Sequence, residues 1–112
     1  MLKTWTEAQS YCREKFTDLA AVENQSDNDG LLSVLQGLGD YAWIGLYDTM
    51  AGWKWALGDE DLNNEYSNWD GMEPNRKMGN ETCAHMFNGG KWADSSCLSP
   101  RPAVCYYGNK YV

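Results

Sequence analysis

Ala42-Trp43-Ile44-Gly45-Leu46 is an unbroken apolar run, and Gly52-Trp53-Lys54-Trp55 alternates apolar with polar a few residues later. The first pattern predicts a buried strand and the second a half-exposed one. Upstream of Gly39 the periodicity is helical instead. Thr4-x-x-Glu7 has the form of a capping box, and Ala8, Tyr11, Cys12 and Phe16 follow at helical spacing. This predicts an amphipathic helix over 5–16 with Cys12 facing inward. Ser26-x-x-Asp29, with Asp in place of the preferred Glu, precedes Leu31, Leu32, Val34, Leu35 and Leu38, and Gly37 and Gly39 are stop signals. A second helix is expected over 27–37.

Downstream, residues 58–80 are rich in Asn, Asp, Gly and Glu with almost no periodicity. A loop of that length inside a small domain is usually functional or disordered. Residues 83–87 and 91–93 read as strands paired around Asn88-Gly89-Gly90, and 103–107 reads as a last strand. Helices followed by short strands around a long polar loop indicate an α+β fold. The Trp and Tyr residues are spread through all elements, which assigns most of them to packing.

The chain has 112 residues, and no linker or repeat divides it, so residues 1–112 are expected to form a single domain. Cysteines at 12, 83, 97 and 105 form no C-x-x-C pair and His85 is the only histidine, which makes zinc a poor reading. Two disulfides in an oxidising compartment fit better, although spacing leaves three connectivities open. No apolar stretch is long enough to span a bilayer. Nine basic against sixteen acidic residues give a net charge of −7, which argues against nucleic acid or anionic membranes as partners. Asn24-Gln25-Ser26 and Asn80-Glu81-Thr82 are N-glycosylation sequons, a weak sign of a secreted setting.

The densest oxygen cluster is Glu73-Pro74-Asn75 with Glu81, followed across the predicted hairpin by Asp94 directly after a strand. Carboxylates and an amide oxygen are hard donors, and calcium accepts six to eight of them in irregular geometry. By composition alone, the same residues also describe a solvated acidic loop.

These residues complete a pattern. Trp43-Ile44-Gly45-Leu46, Gly52-Trp53-Lys54-Trp55, Asn68-Trp69, Glu73-Pro74-Asn75 and Trp92-Ala93-Asp94, threaded by four cysteines, resemble the C-type lectin domain across nearly the whole chain. The resemblance implies disulfides Cys12–Cys105 and Cys83–Cys97. It also implies two helices, a lower sheet joining the chain ends, and an upper sheet bearing a long calcium loop. Only Met1 to Lys3 precede the first helix, so the family's first strand is almost missing.

Carried over residue by residue, the resemblance makes Glu73, Asn75, Glu81 and Asp94 the ligands of one calcium ion and the hydrogen-bonding partners of a sugar. Glu-Pro-Asn is similar to the mannose, fucose or N-acetylglucosamine type. Sugar-binding members usually have Trp-Asn-Asp where this chain has Trp92-Ala93-Asp94, so one amide ligand is absent and weakened affinity is expected. An auxiliary calcium site is not expected, because Asp48 matches one ligand while Gly52, Arg76 and Thr82 stand where carboxylates belong. The implied partners are mannose-type glycans or glycoproteins, in a secreted or cell-surface protein. A homo-oligomer and a module of a tandem receptor both fit. The rival reading, suggested by Ala93, is a lectin-like domain that binds protein or ice. Glycoside hydrolysis by Glu73 and Glu81 is disfavoured because both are assigned to metal.

Overall fold

The computed structural model describes residues 2–49, 52–62, 66–71, 82–87, 89–108 and 110–112. The first helix, α1 (Trp5–Lys15), begins on the expected capping box: Glu7 N–H donates to Thr4 Oγ1 at 3.3 Å and Thr4 N–H to Glu7 Oε1 at 2.9 Å. It buries Trp5, Ala8 and Cys12, and stops one residue short of expectation because Phe16 turns out of helical geometry.

The second helix, α2 (Gln25–Leu35), starts earlier than its sequence signal suggested. Its cap is Asn24, whose Oδ1 accepts from Asp27 N–H at 2.8 Å; Ser26 lies inside the first turn. Asn and Ser are comparable caps, so local propensity does not separate them. Asp27 does, since its Oδ2 in turn accepts from Glu23 N–H at 3.2 Å and closes the first turn around Asn24; Asn28, Leu31 and Leu35 face the core. Leu38 falls beyond the helix and is exposed.

Among the described residues the strands are, in chain order, β1 (Asp18–Leu19), β2 (Tyr41–Thr49), β3 (Gly52–Trp55), β4 (Glu60–Asp61), β5 (Thr82–Phe87), β6 (Trp92–Ser96), β7 (Cys105–Tyr107) and β8 (Lys110–Tyr111). They form two antiparallel sheets, of order β4-β3-β2-β5-β6 and β1-β7-β8. The last major strand is shorter than predicted, because Ala103 makes only an isolated bridge to Trp43. Part of the expected loop is also ordered, with a 3-10 turn at Leu57–Asp59 leading into β4. The chain start reaches the fold through a Lys3–Arg101 bridge rather than a full strand.

The apolar run at 42–46 lies in β2 and is wholly buried. Gly45 has a steric reason. Its N–H donates to Ala20 O at 2.7 Å and its carbonyl accepts from Ala56 N–H at 2.7 Å, so two other segments cross the strand here. A Cβ at this position would stand 3.0 Å from Ala20 O and 3.1 Å from Leu19 Cβ. Buried Trp indoles are tied into the same frame: Trp5 Nε1 donates to Ile44 O and Trp43 Nε1 to Lys3 O, each at 2.9 Å.

The disulfides are Cys12–Cys105 and Cys83–Cys97, and no free cysteine remains. One ties α1 to β7; the other ties β5 to the residue after β6. The pairing implied by the family resemblance is the one observed.

Candidate functional site

Residues 66–71 of the long polar segment gather on Trp92, the first residue of β6. Trp92 is fully buried, and its ring meets those of Trp55, Tyr66 and Trp69 edge to face at 5.6, 6.0 and 5.6 Å between centroids. Its Nε1 donates to the buried Asn28 Oδ1 at 2.9 Å. Trp69 makes a parallel bridge to Trp92: Asp70 N–H donates to Trp92 O at 2.8 Å, and Trp92 N–H to Asn68 O at 2.9 Å.

The Gly90 carbonyl gathers the surrounding pieces. It accepts from Asn28 Nδ2 at 3.0 Å and from Asn68 Nδ2 at 2.6 Å, joining α2, the long segment and the β5–β6 turn. Gly90 has φ +91°, and a Cβ there would lie 3.3 Å from Asn28 Nδ2, so both backbone and space demand glycine. Asn28 carries no sequence motif. Its polar side chain on the apolar face that includes Leu31 and Leu35 is the signal that could have flagged it.

The described residues that flank the segment holding most of the expected ligands are Asp70, bonded to Trp92, and Thr82, opposite Ser96. Asp94 lies midway between those two points on β6. Trp92 and Ser96 are about 13 Å apart along a strand. Contrary to expectation, Asp94 is inside its strand, paired with Ala84, because the β5–β6 ladder continues to Thr82 and Ser96. Its side chain is half-buried. Glu73, Pro74, Asn75, Arg76, Lys77, Asn80 and Glu81 lie outside the described residues. Among the described residues no group of three or more His, Cys, Asp or Glu is assembled for a metal.

The donor set still has a definite chemistry. Glu73, Asn75, Glu81 and Asp94 offer only oxygen. All four thiols are in disulfides, and the one imidazole is buried with Nδ1 3.2 Å from Ser95 Oγ. That combination fits a hard cation such as calcium and not zinc. Ala93 is buried, opposite His85, and brings no donor. At the auxiliary position, Thr82 Oγ1 donates to Asp48 Oδ2 at 3.2 Å, so a hydroxyl stands where a second carboxylate was missing.

His85 is packed rather than poised for proton transfer. Burial, reinforced by the nearby Arg101 charge and opposed by Asp94, pushes its imidazole pKa down to about 4. The Arg101 guanidinium lies 4.4 Å from the Tyr41 ring centroid and 5.2 Å from that of Trp43, while its Nη2 donates to Ser95 Oγ at 3.1 Å.

A family model described as the lectin C-type domain matches residues 1–107. The chain belongs to the C-type lectin family. This lectin domain is 33% identical over 107 residues to L-selectin of Bos taurus, a match covering 91% of the chain but 29% of the selectin. It thus spans less than a third of that relative's length. Among solved structures, the cow C-type carbohydrate-recognition domain of CD23, determined in the presence of a GlcNAc2Man3 oligosaccharide, is similar with TM-score 0.77 and 28% identity. That match covers 91% of this lectin domain and 77% of the CD23 chain. Human lithostathine superposes with TM-score 0.81 and 26% identity, covering 96% of this domain and 86% of that chain. Domains of this lectin family are binding modules, not enzymes, and are in general calcium-dependent.

Proposed function

We propose that the chain is one extracellular C-type lectin domain that binds mannose, fucose or N-acetylglucosamine through a single calcium ion held by Glu73, Asn75, Glu81 and Asp94. The observation that carries this reading is the anchoring of the long segment to β6 on both sides of Asp94, at Trp92 and at the residue opposite Ser96. Asp94 thus lies between the two described ends of the segment whose sequence contains the other two carboxylates and the amide. Bound calcium would supply coordination positions at which sugar hydroxyls replace water. Glu73, Glu81 and Asp94 accept hydrogen bonds from those hydroxyls, and the Asn75 amide donates to one of them. Vicinal hydroxyls are thereby selected by the spacing of their partners rather than by an enclosing pocket. Two disulfides, and the selectin and CD23 relatives, support the extracellular placement.

The test is chromatography on immobilised mannose in millimolar calcium. The reading expects retention and release by EDTA. Free passage of folded protein with both disulfides formed would sink it and favour the second reading, a lectin-like domain with a protein or ice ligand, which the methyl group of Ala93 supports.

Ala93→Asn restores the missing amide. It should raise calcium and mannose affinity about ten- to a hundredfold, the worth of one hydrogen bond beside a charged centre. Isothermal titration with calcium, then with mannose, checks both; no gain in either would show that the site has departed from the family's geometry.

A further inference from the structure

We propose that Asn24 carries an N-linked glycan, through a side chain whose two polar atoms have separate tasks. Asn24 heads the sequon Asn24-Gln25-Ser26. It is also the cap of α2, with extended backbone at φ −157° and ψ 177° and with Oδ1 accepting from Asp27 N–H at 2.8 Å. The capping bond uses the oxygen alone. N-glycosylation uses the nitrogen alone. Among the described residues Nδ2 of Asn24 donates to nothing, and Glu23, Asn24, Gln25 and Ser26 are all exposed, so a glycan leaves into solvent without disturbing the helix start.

The other described asparagines are the contrast. Asn28 is buried, with Nδ2 bound to Gly90 O and Oδ1 to Trp92 Nε1. Asn68 has Nδ2 on Gly90 O and Oδ1 on Lys91 Nζ. Neither heads a sequon, and at either a glycan would cost the bonds that hold the long segment in place. Among the described residues, the sequence signal and a free, outward nitrogen coincide only at Asn24.

The transfer is balanced without any redox partner. The Asn24 carboxamide nitrogen displaces the diphosphate from C1 of a lipid-diphosphate-linked oligosaccharide. One N–C bond forms, one C–O bond breaks, and lipid diphosphate and the amide proton depart. The attached sugar would stand at the rim of a groove of about 250 Å3 lined by Val22, Glu23, Trp55, Leu57 and Tyr66. Gln25 Oε1, next in the chain, accepts from Tyr66 Oη at 3.3 Å on that rim.

The inference rests on the extracellular placement proposed above, and its test is independent of sugar binding. The full chain is directed through the secretory pathway of eukaryotic cells, and the disulfide-bonded product is digested for peptide mass spectrometry. The expected result is a glycan mass on the peptide containing Asn24, lost on treatment with peptide N-glycosidase, which leaves Asp at that position. Asn24→Asp and Ser26→Ala should each abolish the modification. Asp retains the capping oxygen and Ser26 does not cap, so both variants should unfold at the temperature of the enzymatically deglycosylated protein. Disulfide-bonded product in which Asn24 is unmodified overturns the proposal, whatever is found at Asn80. Failure of that same glycosylated product to bind mannose would overturn the lectin reading and leave this one standing.

Discussion

His85 shows how a single side chain constrains the conditions under which the fold survives. Its ring is enclosed by Tyr41, Trp43 and Phe87, with Ser95 at Nδ1, Arg101 lowering its proton affinity and Asp94 opposing that effect. The folded protein holds it neutral, with its pKa pushed down to about 4 by burial first of all. The unfolded chain binds the proton near the ordinary value of about 6.5. Stability contributed by the neutral ring is therefore full above that value and lost as the pH falls toward 4. The loss should reach roughly 3 kcal/mol at most. Urea midpoints measured across this range in chelator, where no ion intervenes, should fall steeply for the native chain and much less for His85→Gln; equal slopes would remove His85 from the account. The sequence identified His85 as a lone histidine on a strand, but its proton affinity depends on rings and a guanidinium distant along the chain. The candidate ligands are the opposite case: that they carry hard oxygen atoms is legible from residue type, while Asp94 lies within its strand rather than after it and Glu73, Asn75 and Glu81 lie outside the described residues.

At the scale of elements, what the sequence made legible was whatever local periodicity decides. The capping box at Thr4, the buried run at 42–46 and the alternation at 53–55 all appear where they were expected. The start of α2 did not, because Asn24 and Ser26 are near-equal caps and the choice falls to Asp27, whose N–H bonds to Asn24 Oδ1 and whose Oδ2 accepts from Glu23 N–H. The pairing of residues 58–62 and 66–71 was hidden because it is made with partners outside the segment. Leu62 N–H bonds to Trp53 O and Asp70 N–H to Trp92 O, partners that no periodicity within the segment can reveal. Gly45 offers a test at this scale. Gly45→Ala would press a methyl against Ala20 O and Leu19, both fixed by the crossing of β1 and β2, and should cost about 1 to 3 kcal/mol in denaturant unfolding. Gly37→Ala meets only Val34 O at 3.6 Å and should be close to neutral. Equal costs would mean that the tight crossing at Gly45 is not what requires glycine there.

For the whole molecule, the two disulfides close spans of very different size, 93 and 14 residues. On the chain-entropy model the longer is worth about 4.6 kcal/mol and the shorter about 3 kcal/mol. Replacing Cys12 and Cys105 together with Ala should therefore lower the unfolding free energy more than replacing Cys83 and Cys97, as read by urea titration. The opposite order would indicate that the shorter bridge, next to the long segment, acts mainly through the folded state. The double hydrogen bond on the Gly90 carbonyl carries a consequence for how such a domain can change over generations. Helix, hairpin and the foot of the long segment are fastened to one another by Asn28, Asn68 and Trp92, none of which is among the proposed ligands. Substitutions at the proposed ligands Glu73, Asn75 and Glu81 would change the recognition chemistry while the bonds made by Asn28, Asn68 and Trp92 stay intact. A surface of this kind can drift from one ligand to another without the lineage passing through an unfoldable intermediate.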